Sequence, residues 1–267
     1  MSYTKANLIE AFRQSLGMVS EFHRVYGHPI GTTESENLPE DRAIERASYL
    51  FEELQEGLVA AIGKDAVKVT DALADAIYFA CGNLVECGVT DQRAMDHLDR
   101  LCGDEEDFKS ATQSLSDHAN ECGWARFMRN VFVNSLAEVS EAYAEGLTYG
   151  DEDEDEDEKV TDGIKVVPLS LDLPFAYLAM INAVFKADPL AVMQEVHRSN
   201  MSKLLPAELP NEDACRFFMA ANGCPLSATE LKFERLDDGR WIAKNISNNK
   251  VVKNPLYSEA DLASLVA

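Results

Sequence analysis

Apolar residues recur in steps of three and four along most of the chain, so the pattern predicts helices. Leu8, Phe12, Leu16, Val19, Phe22 and Val25 share one face of a helix over residues 5–26. Gly27, His28 and Pro29 then act as breakers. A polar loop follows from Gly31 to about Pro39. Pro39, Glu40 and Asp41 suit a first helical turn. The helix they open continues through Ile44, Ala47, Leu50, Phe51, Leu54 and Leu58. After Gly63-Lys64-Asp65, a third helix is expected from about Val67 to Glu86. It is apolar nearly all round and so belongs in the interior.

Residues 90–120 are more polar, with helical spacing at Met95, Leu98 and Leu101. Further helices are predicted over residues 126–147, about 174–186 and 188–204, and a polar segment then spans residues 211–230. From Leu231 to Lys253 the pattern changes to alternation, with turn signals at Asp237-Asp238-Gly239 and Asn248-Asn249. That is the strand signal of the chain, a small β-ribbon. Ser258-Glu259-Ala260-Asp261 is an N-cap signature for a last short helix. The expected fold class is all-α: an antiparallel helix bundle with a large helical insert and a small C-terminal β-ribbon. The division reads as a metal-binding helical core over 1–90, a helical insert over 91–188, and a third part, 189–267, in the same globular unit as the core.

Against this framework the carboxylates stand out. On the second helix Glu52, Glu53 and Glu56 lie along one edge. On the third, Asp71 and Asp75 are four apart within an apolar run, where a carboxylate is costly unless paired or metal-bound. Two antiparallel helices would bring five acids into one small volume. Hard oxygen ligands of this kind suit Mg²⁺, with Mn²⁺ as the alternative.

Composition narrows the partners. The 267-residue chain carries a formal net charge of −23. That disfavours a nucleic acid duplex, whose backbone is bound through Lys and Arg, and an anionic membrane. It leaves room for a small phosphorylated substrate, since a bound divalent ion reverses the local field. Six cysteines with no C-x-x-C pair read as reduced thiols of a cytoplasmic protein. The apolar stretch Leu173 to Phe185 is shorter than the roughly 20 residues a spanning helix needs. Eight consecutive acids, residues 151–158, read as a solvated loop. The Glu138, Glu141, Glu145 helix and the apolar helix after it echo the second and third helices, which points to a degenerate internal repeat.

Four motifs carry a resemblance: Phe22-His23-x-x-Tyr26-Gly27-His28-Pro29, Glu52-Glu53-x-x-Glu56, Asp71-Ala-Leu-Ala-Asp75-Ala-Ile-Tyr78, and Val196-His197-Arg198-Ser199-Asn200-Met201-Ser202-Lys203. Together they resemble the all-α nucleoside triphosphate pyrophosphohydrolases, nearest to the MazG-like, phosphoribosyl-ATP pyrophosphohydrolase-like branch. Asn249 to Tyr257 also looks like that branch's closing segment. Two features depart from the family pattern. Ala72 stands where the family usually has an acid three residues before Asp75, and about 100 residues separate the two resembling blocks.

The resemblance implies Mg²⁺-dependent conversion of a (deoxy)nucleoside triphosphate to the monophosphate and pyrophosphate. Glu52, Glu53, Glu56 and Asp75 would hold the metal, with Asp71 beside them and Glu53 acting on the water. Lys203, with Arg198 and Lys253, would supply positive charge to the phosphates. Asn200 suits a base edge or sugar hydroxyl, and His23 completes the expected substrate set. The expected assembly is a homodimer, or a single chain that is internally duplicated. The competing reading is a catalytically silent relative that binds nucleotide or a protein.

Overall fold

The computed structural model describes residues 3–148 and 163–266; the acidic run at 151–158 lies outside them. Three helices set the frame: α1 (Lys5–Tyr26), α2 (Glu40–Gly63) and α3 (Ala66–Glu86). They stand within a residue or two of their predicted bounds. Thr4 caps α1 by accepting from the Asn7 N–H, and Gly27 closes it in the left-handed region, φ 70°. Between α2 and α3 the chain reverses in two residues. Lys64 takes a left-handed conformation, φ 59°, and the Asp65 side chain caps α3 by accepting from the Lys68 N–H. So short a turn forces α2 and α3 to pack antiparallel.

A buried polar network locks their register. Both carboxylate oxygens of Glu86 accept from Arg42, each at 2.6 Å. Arg46 donates to Glu86 at 2.9 Å, to the Phe79 carbonyl at 2.5 Å and to the Asn83 side chain. A buried arginine needs such complete pairing, because an unpaired charge there is expensive. Beside it the Tyr49 and Phe79 rings stack at 5.4 Å.

The polar stretch after α3 forms two helices, α4 (Asp91–Leu101) and α5 (Glu105–Cys122), the second opened by an Asp104/Asp107 capping box. Then come α6 (Trp124–Thr148) and α7 (Val167–Phe185). α7 begins well before its predicted start and carries Pro174 within it. Its length and composition would allow a membrane crossing, but most of it is buried in the protein, as in any apolar core helix. α6 packs along α2, and α7 along α3, whereas α6 and α7 touch each other little. The insert is therefore part of the main core, which runs without interruption from Leu8 to Val196.

Gly57 shows how close the α2–α6 contact is. A Cβ there would stand 2.3 Å from the Phe132 ring. Gly57→Ala is expected to cost about 1–3 kcal/mol of stability by overpacking, measured by urea unfolding. Adding Phe132→Leu should restore most of that loss.

The predicted β-ribbon is a three-stranded antiparallel sheet: β3 (Leu231–Arg235), β4 (Trp241–Asn245) and β5 (Val251–Val252). Two further strands, β1 (Asn37–Leu38) and β2 (Ile164–Lys165), pair antiparallel and are too short to leave a periodic signal. α8 (Pro189–Met201) is close to expectation, while α9 (Glu212–Ala221) arises inside the segment read as polar. The last short helix expected from Ser258 does not form; the chain there runs in turns.

Candidate active site

Glu53 and Asp75 lie nearly equidistant from the Gly63-Lys64-Asp65 turn, so the hairpin sets them level. Glu56 and Asp71 occupy the next rung toward the turn. An open cleft of about 770 Å³ runs along this rung, lined by Glu52, Glu53, Glu56 and Asp71 among others. Glu52 and Glu56 are exposed, whereas Glu53, Asp71 and Asp75 are half-buried.

The electrostatics identify a cluster. Burial, followed by the charges of Asp75, Glu56, Glu52 and Asp71, pushes Glu53 up to about 8. Burial, then the charge of Asp71, pushes Asp75 up to about 7, while Lys203 and Lys253 oppose the rise. Asp71 is raised by burial and by Glu56. Desolvation and like charge act together here, and both disfavour the ionised carboxylates. None of these five acids makes a hydrogen bond or an ion pair among the described residues.

Two lysines arrive from far along the chain. Lys203 lies just past α8, whose end is tied down by Ser202. The Ser202 hydroxyl donates to the Ser199 carbonyl at 2.7 Å and accepts from the Ser258 N–H at 3.0 Å. The Lys203 carbonyl accepts from the Asn254 N–H at 3.0 Å. This places Lys253 in the neighbouring segment, its ammonium 4.8 Å from the Tyr257 ring centroid. Lys203 is half-buried and donates to the Asn200 side-chain oxygen at 2.5 Å. Burial lowers its pKa, and Lys253 lowers it further, against the attraction of Asp75, Glu53 and Asp71. It faces the carboxylates without forming an ion pair with any of them among the described residues.

The other expected substrate residues lie elsewhere. His23 is buried, with Nδ1 2.8 Å from the Pro29 carbonyl, and burial lowers it to about 4. Its Nε2 lies beside Gly82, where Arg46 also packs. Arg198 is exposed and makes a bidentate pair with Glu195 at 2.7 and 2.8 Å. Tyr78 stands one turn beyond Asp75, and its hydroxyl is 3.0 Å from His197 Nδ1. Neither Tyr78 nor His197 stood among the expected site residues. The sequence signal for the pair was only their membership of the third and fourth motifs.

The donor set fits a hard divalent cation: clustered, unpaired carboxylate oxygens whose mutual repulsion a positive ion would relieve. The cage is not closed, however. Among the described residues no three His, Cys, Asp or Glu side chains are arranged to hold a metal ion as they stand.

Residues 19–101 match the family model of phosphoribosyl-ATP pyrophosphohydrolase. The match contains all five acids and His23 but ends long before Asn200, Lys203 and Lys253. It supports a pyrophosphohydrolase-like activity, that of a hydrolase acting on phosphoric anhydrides. No curated protein and no solved structure matches the chain.

Proposed function

With residues 19–101 belonging to the all-α nucleoside triphosphate pyrophosphohydrolase superfamily, we propose that the chain hydrolyses a (deoxy)nucleoside triphosphate to the monophosphate and pyrophosphate. One observation carries this reading. Lys203 lies within reach of the charges of Asp75, Glu53 and Asp71 and forms no ion pair with any of them among the described residues. Opposite charges this near normally pair. Held apart, they suit a triphosphate: the cation takes phosphate oxygens, and the acids take the metal that travels with them.

Glu52, Glu53, Glu56 and Asp75 would hold Mg²⁺, with Asp71 in support. When bound, the ion neutralises phosphate charge and acts as a Lewis acid on the anhydride. Glu53, half-buried among the other acids, is placed to take the proton of the attacking water. Water adds across the α–β anhydride, and the P–O bond to the leaving pyrophosphate breaks. Lys203, seconded by Lys253, meets the charge that builds on the phosphates. Asn200 is left with its amide N–H groups for a sugar or base oxygen.

The test is direct. The purified chain is incubated with a panel of nucleoside and deoxynucleoside triphosphates plus Mg²⁺, and pyrophosphate is assayed. Pyrophosphate and monophosphate in equal amounts are expected; orthophosphate as the product would point to other phosphatase chemistry. Mg²⁺ alone should raise the melting temperature more at pH 8 than at pH 5, because protons compete for the same carboxylates. An equal shift at both pH values would remove Glu53 and Asp75 from the metal set.

The same reading has the insert complete the bundle within one chain, since α6 and α7 cover the flanks of α2 and α3 that a second copy would otherwise have to cover. Light scattering should then give a monomer mass. A tight homodimer would count against it.

A further inference from the structure

Glu53 and Asp75 stand level on α2 and α3, and the residue four places further from the turn shares the edge of each. Those residues are Tyr49 and Phe79, one helical turn, about 6 Å, beyond the acids. Their rings stack across the hairpin, with centroids 5.4 Å apart and planes inclined by 29°. Both are half-buried. The Arg46 guanidinium lies over the Phe79 ring, 5.9 Å from its centroid. The Lys250 ammonium lies over the Tyr49 ring at 5.8 Å. Lys250 is exposed, between β4 and β5. A cation–π contact at an exposed site is weak, so a flat ligand can replace the ammonium on Tyr49 at small cost.

The polar groups that border this ledge are already engaged. The Tyr49 hydroxyl donates to Glu45 at 2.9 Å. Arg46 is bound to Glu86, Asn83 and the Phe79 carbonyl. What the ledge offers a ligand is ring area. Phe22, by contrast, already has three rings against it: Tyr26 at 4.4 Å, Tyr78 at 5.4 Å and His28 at 5.5 Å. The strand β5 runs from Lys250 to Lys253, a span of roughly 10 Å in extended chain. One short segment therefore reaches from the aromatic ledge to the neighbourhood of Lys203, whose carbonyl the Asn254 N–H meets.

We propose that the Tyr49–Phe79 ledge is a nucleobase subsite that favours purines, and that Lys250 covers it until the nucleotide binds. The proposal rests on the triphosphate reading of the acids and Lys203. With the α-phosphate at the acids, the sugar and base extend along the hairpin by about one helical turn, which sets the base on Tyr49. Stacking rewards ring area, and every base has a face to offer. The ledge therefore separates purines from pyrimidines by size and one purine from another only weakly.

Calorimetric titration of the full chain tests this, with ribo- and deoxyribonucleoside 5′-monophosphates and, separately, inorganic tripolyphosphate, all with Mg²⁺. The wild type should bind purine monophosphates several-fold more tightly than pyrimidine ones. Tyr49→Ala should weaken purine binding by about tenfold or more while leaving tripolyphosphate binding within about twofold. Tyr49→Phe keeps the ring, loses the Glu45 bond and should bind purines like the wild type. Lys250→Ala should bind them at least as tightly, because the ammonium competes for the ring. A wild type that binds no purine monophosphate overturns the ledge, as does a Tyr49→Ala chain that binds purines normally. Equal loss of purine and tripolyphosphate binding in Tyr49→Ala would show that the ring only supports the fold, and also overturns it. Tighter binding of pyrimidines overturns the purine assignment, and weaker purine binding by Lys250→Ala overturns the covering role. Purine binding that depends on Tyr49, without pyrophosphate release from any triphosphate, would sink the hydrolase reading and keep the ledge. Pyrophosphate release that Tyr49→Ala leaves at the wild-type KM would sink the ledge alone.

Discussion

Glu53→Gln is expected to lower pyrophosphate release by about 10²–10⁴-fold, the range that a positioned general base contributes, and to make the metal-free protein more stable. Both effects have one source. Burial and four neighbouring carboxylates raise Glu53 to about 8. In the catalytic cycle, with the charge of the acids offset, the same position leaves Glu53 ionised to act on water. In the metal-free protein it is a liability.

The sign follows from linkage. The folded-state value lies above the ordinary 4.5, so between about 4.5 and 8 the folded form binds more protons than the unfolded one. Stability is therefore greatest below that window and is lost as pH rises through about 8. Asp75 adds a loss of the same sign between 3.8 and about 7. A carboxamide of nearly the same shape removes the Glu53 share. Thermal melts of the metal-free proteins from pH 5 to 8.5 should show a shallower decline for Glu53→Gln. A variant that keeps full turnover would remove Glu53 from the catalytic set. A variant that melts earlier than the wild type at pH 8 would show that the carboxylate is paired rather than repelled.

Lys203→Met should reduce kcat/KM by about 10²–10³-fold, the loss typical of removing one preorganised electrostatic contact to the reacting group. Methionine keeps the length and apolar stem of lysine, so packing changes little. What disappears is a half-buried cation facing Asp75, Glu53 and Asp71. Lys203→Arg should not restore the activity, because a planar guanidinium cannot reproduce the single point contact to Asn200 at 2.5 Å. Lys253→Met should cost much less, since Lys253 is exposed and water screens its charge. Equal losses for the two lysines would show that net positive charge at the mouth matters and that Lys203 has no special position.

Several elements were legible because their causes are local. The apolar spacing and breakers of α1 to α3 place their ends closely, and the Gly63-Lys64-Asp65 turn makes α2 and α3 a hairpin. From those facts alone the acids had to meet. Other elements escaped for equally local reasons. α9 is ten residues long and buries only Cys215 and Met219 fully, too few for a periodic signal; its one clear mark was Asn211 before Glu212 and Asp213. β1 and β2 are two residues each. α7 runs on both sides of Pro174, near which the pattern predicts its start, because burial against α3 keeps the helix intact there.

The chain's local patterns thus determine the helices, the hairpin and the five clustered carboxylates, because hydrogen-bonded turns and side-chain periodicity act over a few residues. Tertiary structure alone decides what faces them. It brings Lys203 to the acids without pairing it, seats His23 beside Arg46 and Gly82, and leaves Arg198 with Glu195 at the surface. It also sets Tyr78 against His197 and His197 against Glu21. The meetings of Lys203 with the acids, of Tyr78 with His197 and of His197 with Glu21 join residues more than a hundred positions apart, and they are settled by the packing of whole helices, which no spacing along the chain records.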